Sequence, residues 1–201
     1  MAIDWISVQR DMKFKIEEIR EHVKGYDYST QEKSLVTDSR IVEYMQDELR
    51  KAKGKLFSIT DISFGKQIEL SRDFQNLRDE LDIFLDEIKL RHCEWKDLDE
   101  EWIGRIIKLD LRLIQGIKEL NQTLDRVVKE VIDYKQIRIK GHTVVYEPDF
   151  WNEIEKEYEI ISNKIDGLVL LFKEREASCN IRKISLEKTM SLVRNELKNR
   201  I

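Results

Sequence analysis

Apolar residues recur along this chain at intervals of three and four, the spacing that gathers them on one side of an α-helix. Trp5, Val8, Met12, Ile16, Ile19 and Val23 share such a face and predict a first helix over 4–24, stopped by Gly25. After the polar loop "GYDYS", Ser29 and Glu32 stand at the spacing of a capping box, in which each side chain satisfies a free amide at a helix start. Leu35, Val42, Met45, Leu49, Ala52, Leu56 and Ile59 then keep the same phase, broken only by Asp38. Gly54 is the expected end of this second helix. The following "KLFSITDISFG", rich in β-branched residues and flanked by glycines, is a candidate non-helical stretch.

Between Lys66 and Gly104 the stripe runs through Leu70, Phe74, Leu77, Leu81, Phe84, Ile88, Trp95, Leu98 and Trp102, with Arg91 as its one polar member. Ile106, Leu109, Leu113, Ile117, Leu120, Leu124, Val127, Val131 and Tyr134 continue it. Either helices 66–93 and 98–138 are continuous or the chain breaks near "HCEWKD". Asp97 followed by Glu100 repeats the capping-box spacing and favours the break. Pro148 and a capping Asp149 open the last helical stretch, whose stripe includes Trp151, Ile154, Tyr158, Ile161, Ile165, Leu168 and Phe172. The phase persists through Cys179, Leu186, Met190, Val193 and Leu197, yet Arg175 and Arg182 occupy core positions. Two arginines in a seam predict a turn around "ASCNI" or the end of a partner helix.

A second apolar row, Ile103, Ile107, Leu111 and Ile114, lies beside the first. A two-stranded coiled coil needs only a narrow seam, so the doubled row demands at least three helices packed around 102–117. The predicted fold is therefore all-α: an elongated, antiparallel, coiled-coil-like bundle of four to six long helices. It divides into a three-helix unit over 1–96 and a long-helix unit over 97–201, or forms one continuous domain. The exception to the helical period is 136–147, where apolar and polar residues alternate around "KGH". That alternation predicts a small β-hairpin or extended corner. Ile137, Ile139, Val144 and Tyr146 would give it an edge for strand addition, and Trp151 a neighbouring aromatic anchor, so these five are the candidate interaction residues.

Composition narrows the function classes. With 36 basic against 40 acidic residues the net charge is −4, without the basic excess of a nucleic-acid-binding domain, so nucleic acid is not an expected partner. The charge is uneven: eleven acids face four bases over 73–101, and eight bases face four acids over 173–201. The two regions are either solvated helix faces or mutually attractive. No apolar run approaches the ~20 residues of a membrane span. Cys93 and Cys179 stand far apart and outside any CxxC, as in a reduced, cytoplasmic protein.

The chain offers little for catalysis. A carboxylate-bridged metal site in a bundle needs Glu-x-x-His pairs, but His22, His92 and His142 are preceded three residues earlier by Ile19, Lys89 and Ile139. His92 and Cys93 are adjacent, which on a helix points them about 100° apart. There is no phosphate-cradling glycine loop, HExxH or GxSxG. No catalytic residue, metal or cofactor is assigned. The leading expectation is a non-enzymatic helical interaction or scaffold protein that self-associates or serves as an assembly subunit. One alternative is a ligand-binding or enzymatic bundle, with Arg91, Arg175 and Arg182 as the seam positions where polar groups would converge. Another is binding of an anionic lipid or nucleic-acid surface through the basic C-terminal helix.

Overall fold

The computed structural model describes residues 4–64, 67–91, 100–139 and 147–179, of which 64, 135–139 and 147–148 are described by backbone alone. These residues form six helices: α1 (Trp5–Asp11), α2 (Lys13–His22), α3 (Gln31–Phe64), α4 (Ile68–Leu90), α5 (Glu100–Ile139) and α6 (Glu147–Cys179). No strand occurs among the described residues.

Cross-helix contacts fix how the rods run. Lys53 meets Asp82 at 2.5 Å and the Ser71 hydroxyl donates to the Thr60 carbonyl at 3.1 Å, so α3 and α4 are antiparallel. Lys164–Glu119 (3.0 Å), Arg126–Glu157 (2.5 Å) and Arg105–Glu174 (2.8 Å) make α5 and α6 antiparallel. Asn121 reaches Glu48, and Lys55 reaches Asp125, so α3 and α5 run the same way. Phe74 stacks edge-on against Tyr158 and Phe84 against Phe172, making α4 and α6 parallel. The result is an up-down-up-down bundle of four long helices, with α1 and α2 packed on α5. One connected apolar core draws side chains from all six helices.

Several element boundaries differ from those the pattern predicts. The first helix is broken at Met12 (φ −113°, ψ 16°) into α1 and α2. The cap of α3 is Thr30, whose hydroxyl accepts from the Lys33 amide at 3.2 Å, in place of Ser29. Gly54 does not end α3: the helix continues through "KLFSITDISF" because Leu56 and Ile59 extend the buried stripe. Its β-branched and hydroxylated residues are accommodated by bonds to the preceding turn, Thr60 donating to Leu56 and Ser63 to Ile59. At the other end, α4 stops at Leu90, with Arg91 extended (φ −65°, ψ 154°), so the stripe there is not one unbroken rod.

The expected β-hairpin near 136–147 is corrected in the same way. Residues 136–139 form the end of α5, and α6 starts at Glu147, two residues before the expected cap. The remaining positions, 140–146, lie outside the described residues. Alternation over a few residues loses to propagation of a helix already anchored by Val127 and Val131, since each added residue gains a backbone bond whereas a lone hairpin is marginal in water. Pro148 fits the first turn of α6, where its missing amide costs nothing.

Gly54 lies within α3 with open space where a Cβ would project, whereas a Cβ on Gly116 in α5 would meet Leu168 Cδ2 at 2.9 Å. Replacing Gly54 with Ala removes backbone freedom from the unfolded chain without a clash, so Gly54→Ala is expected to raise unfolding stability by about 1 kcal/mol. Gly116→Ala should gain less or lose stability. Urea denaturation of the two variants checks the difference.

Candidate functional site: a buried charge centre

The polar residues that interrupt the apolar stripes meet at one end of the bundle. Arg175 of α6 is completely buried, as is Asp110 of α5, and Asp38 of α3 is nearly so. Arg175 Nε donates to Asp110 Oδ1, and Arg175 Nη1 donates to Asp38 Oδ1 at 2.8 Å. Arg91, just beyond α4, forms an ion pair with the other oxygen of Asp38. The two arginines thus balance the two aspartates, and one residue on or next to each long helix contributes.

The loop between α2 and α3 closes the centre. Gly25, at φ +71°, turns the chain into an extended stretch that sends Tyr26 and Tyr28 to the same side. Both hydroxyls donate to Asp110 Oδ2 at 2.7 Å, and the rings pack edge to face at 5.1 Å. Trp5 of α1 covers Tyr28 from outside, centroid to centroid at 6.4 Å. The loop backbone is held in turn: Arg20 donates twice to the Tyr26 carbonyl at 3.0 and 3.2 Å, and Thr37 bonds the Asp27 backbone in both directions. Asp110 therefore accepts three hydrogen bonds, two from the α2–α3 loop and one from α6.

These surroundings set the protonation states. Burial, reinforced by the Asp110 carboxylate, pushes the Tyr26 and Tyr28 hydroxyls well above the ordinary tyrosine range, so both remain neutral donors. Burial alone would pull the Arg175 guanidinium down, but the adjoining Asp110 carboxylate outweighs it and holds Arg175 firmly charged. Burial also raises the Glu176 carboxyl, against the attraction of Arg91 and Arg175.

A buried nucleophile, acid or base needs a route to a substrate. Beside the centre lies an open cleft of about 520 Å³ lined by Asp38, Ser39, Val42, Glu43, Gln46, Ile88, Lys89 and Arg91. Its two members from the charge centre, Asp38 and Arg91, are ion-paired with each other. A second open cleft, of about 590 Å³, runs between the end of α2 and α3 past His22, Arg40 and Tyr44. There His22 lies against the Tyr44 ring at 5.6 Å, while Glu18, one turn earlier in α2, accepts from Gln115 of α5 at 2.7 Å. Among the described residues, no three His, Cys, Asp or Glu side chains are grouped to hold a metal ion.

The residues expected to form an interaction edge fall elsewhere. Trp151 is buried in this chain's own core, edge-on to Tyr134 and Phe150. Ile137 and Ile139 are in the last turn of α5, Val144 and Tyr146 lie outside the described residues, and so does Arg182. Of the seam positions flagged by pattern, Asp38, Arg91 and Arg175 come together. Asp110, Tyr26 and Tyr28 were missed. A signal for Asp110 existed, because it stands three residues from both Ile107 and Leu113 in the widest apolar face of the chain. No known protein family, curated protein or solved structure matches the chain.

Removing one member of this centre leaves a buried charge uncompensated, so Arg175→Met is expected to cost about 3–5 kcal/mol. In Asp110→Asn the amide oxygen can still accept from both tyrosines. The double variant Arg175→Met/Asp110→Asn should therefore be more stable than Arg175→Met alone. Urea unfolding of the four-member cycle checks this; simply additive costs would mean the two groups do not interact.

Proposed function

We propose that this chain is a non-enzymatic helical scaffold that works through protein contacts, including contacts between its own copies. The observation that carries this reading is the saturation of the charge centre. Asp110, Asp38 and Arg175 each hold partners from distant parts of the chain, and Tyr26, Tyr28 and Trp5 pack over Asp110 and Arg175. Such a centre fixes the relative position of helices, because sliding α6 by one turn would strand the Arg175 guanidinium in the interior and take one partner from each of Asp38 and Asp110. A reactive group, by contrast, needs a vacant position for substrate and a proton path. The rods that the centre aligns carry large apolar side chains on their outer faces, among them Phe57, Ile83 and Leu170. Faces of this kind supply contact area in helical assemblies. Among the described residues no helix is long and apolar enough to cross a membrane.

A ligand-binding reading has one supporting observation, the cleft beside Asp38 and Arg91. It is the weaker reading, since any ligand there must break the Asp38–Arg91 pair or dispense with it. Light scattering on the purified chain over a range of concentrations separates the proposals. Concentration-dependent dimers or larger species are expected. A strict monomer at high concentration, with no co-purifying protein, contradicts the scaffold.

A further inference from the structure

Ion pairs stitch three of the four seams between the long helices. Lys53 meets Asp82 across α3 and α4 at 2.5 Å, and Lys55 meets Asp125 across α3 and α5 at 2.8 Å. The α5–α6 seam holds Arg105–Glu174, Arg126–Glu157 and Lys164–Glu119 at 2.8, 2.5 and 3.0 Å. Between α4 and α6 the pair described is Glu87 with Lys173, at 3.8 Å the longest of the set. The backbones of α4 and α6 also run close together over less of their length than those of the other three pairs.

Like charges line this fourth seam. Phe74 packs on Tyr158 and Phe84 on Phe172, so Glu80, six residues past Phe74, is level with Asp166, eight residues past Tyr158. Both stand a little over halfway between the two aromatic pairs. Asp73, Glu80 and Glu87 recur at heptad spacing on the side of α4 that meets α6. The facing row on α6 runs through Ser162, Asp166, Val169, Lys173 and Glu176. Lys173 is its one base, and it lies a heptad beyond Asp166, beside Glu87. Neighbouring bases turn to other seams: Arg78 lies over the Phe57 ring of α3, and Lys164 pairs with Glu119 of α5. Burial, reinforced by Asp166, raises the Glu80 carboxyl, and burial with Asp73 and Glu80 raises the Tyr158 hydroxyl.

The two ends of the seam are held differently. At the carboxyl ends, Arg91 just beyond α4 and Arg175 of α6 both bind Asp38, which clamps the two helices to α3. Toward the amino ends the contact is aromatic, Phe74 against Tyr158. We propose that the bundle opens along the α4–α6 seam from its amino end, and that Glu80 and Asp166 set how readily it does so. When both are ionised they repel and weaken the closed seam; a proton on Glu80 removes the repulsion. The closed form therefore holds that proton more tightly. Closure strengthens as pH falls through the raised Glu80 value and weakens as pH rises past it. Opening uncovers Phe74 and Leu77, both fully buried in the closed form, while the charge centre stays intact.

Thiol labelling of the full chain at an introduced cysteine reads the opening directly. Leu77→Cys reports the seam and Leu49→Cys, equally buried in α3, is the reference. Peptide mapping by mass spectrometry separates either site from Cys93 and Cys179, and each rate is divided by that of a short peptide thiol at the same pH. Leu77→Cys is expected to label faster than Leu49→Cys. Adding Asp166→Lys turns the repulsion into an attraction and should slow labelling at Leu77→Cys about twofold to fivefold, the range of an exposed pair. Adding Glu80→Lys as well restores like charges and should return the original rate. Lowering the pH from about 7 to about 5, toward the ordinary carboxylate range, should slow labelling in the chain with native Glu80 and Asp166 and not in the Asp166→Lys chain. Circular dichroism verifies that each variant keeps its helix content. Labelling at Leu77→Cys no faster than at Leu49→Cys would overturn the proposal. So would a rate indifferent to Asp166→Lys, a Glu80→Lys/Asp166→Lys chain that stays slow, or the same acid response with and without Asp166→Lys.

Discussion

The architecture depends on one fully buried guanidinium. Arg175 cannot be left alone in the interior, because an unpaired charge there costs several kcal/mol even after relaxation. It must bring carboxylates with it, and Asp110 and Asp38 come from two other helices. Asp38 in turn requires Arg91, and Asp110 requires donors for its second oxygen, which the two tyrosines provide. Each partner is obligatory once the first is in place, so a few polar residues tie α3, α5, α6, the end of α4 and the α2–α3 loop at one level. Apolar packing supplies most of the stabilisation. It tolerates small slips between helices, which a set of mutually satisfied charges does not.

The same logic explains the uneven surface of α3. Leu35 and Val36 are half exposed at its start because Ser34, Thr37 and Asp38 face inward. A turn later Ile41 and Met45 restore an apolar interior, and the stripe is regular from there to Ile59. The helix therefore begins polar-side-in, around the charge centre, and ends apolar-side-in. The exposed residues this leaves on the outside, with those on α4 and α6, are the material from which the proposed scaffold would make its contacts.

How much of this the sequence disclosed follows from the range of each interaction. The helices were legible because a period of three and four depends on residues within one turn, and the wide face around 102–117 correctly demanded a bundle. The polar interruptions Asp38, Arg91 and Arg175 were visible as single anomalies, but their pairing joins residues 137 positions apart and has no local signature. Tyr26 and Tyr28 sit in a loop whose glycine, aspartate and serine read as solvated, and only tertiary packing shows that the rings turn inward. The misplaced boundaries share one cause. Gly54, the β-branched run after it and the alternation at 136–139 are weak local preferences, and each yields to a long helix held by buried neighbours.

The central claim, that the charge centre is sealed inside the native fold, is tested most directly by alkaline titration of the tyrosines. Tyr26 and Tyr28 ionise in the folded chain only well above the ordinary value of 10.0 that they recover on unfolding. The unfolded chain therefore releases their protons first, and their contribution to stability is complete below pH 10.0 and is lost as pH rises past it. Near-ultraviolet absorbance of tyrosinate, followed together with helical circular dichroism, should show the signal missing from the Tyr26→Phe/Tyr28→Phe variant appearing only as the helices melt. Ionisation of those two tyrosines near the ordinary value, with the helices intact, would contradict the account.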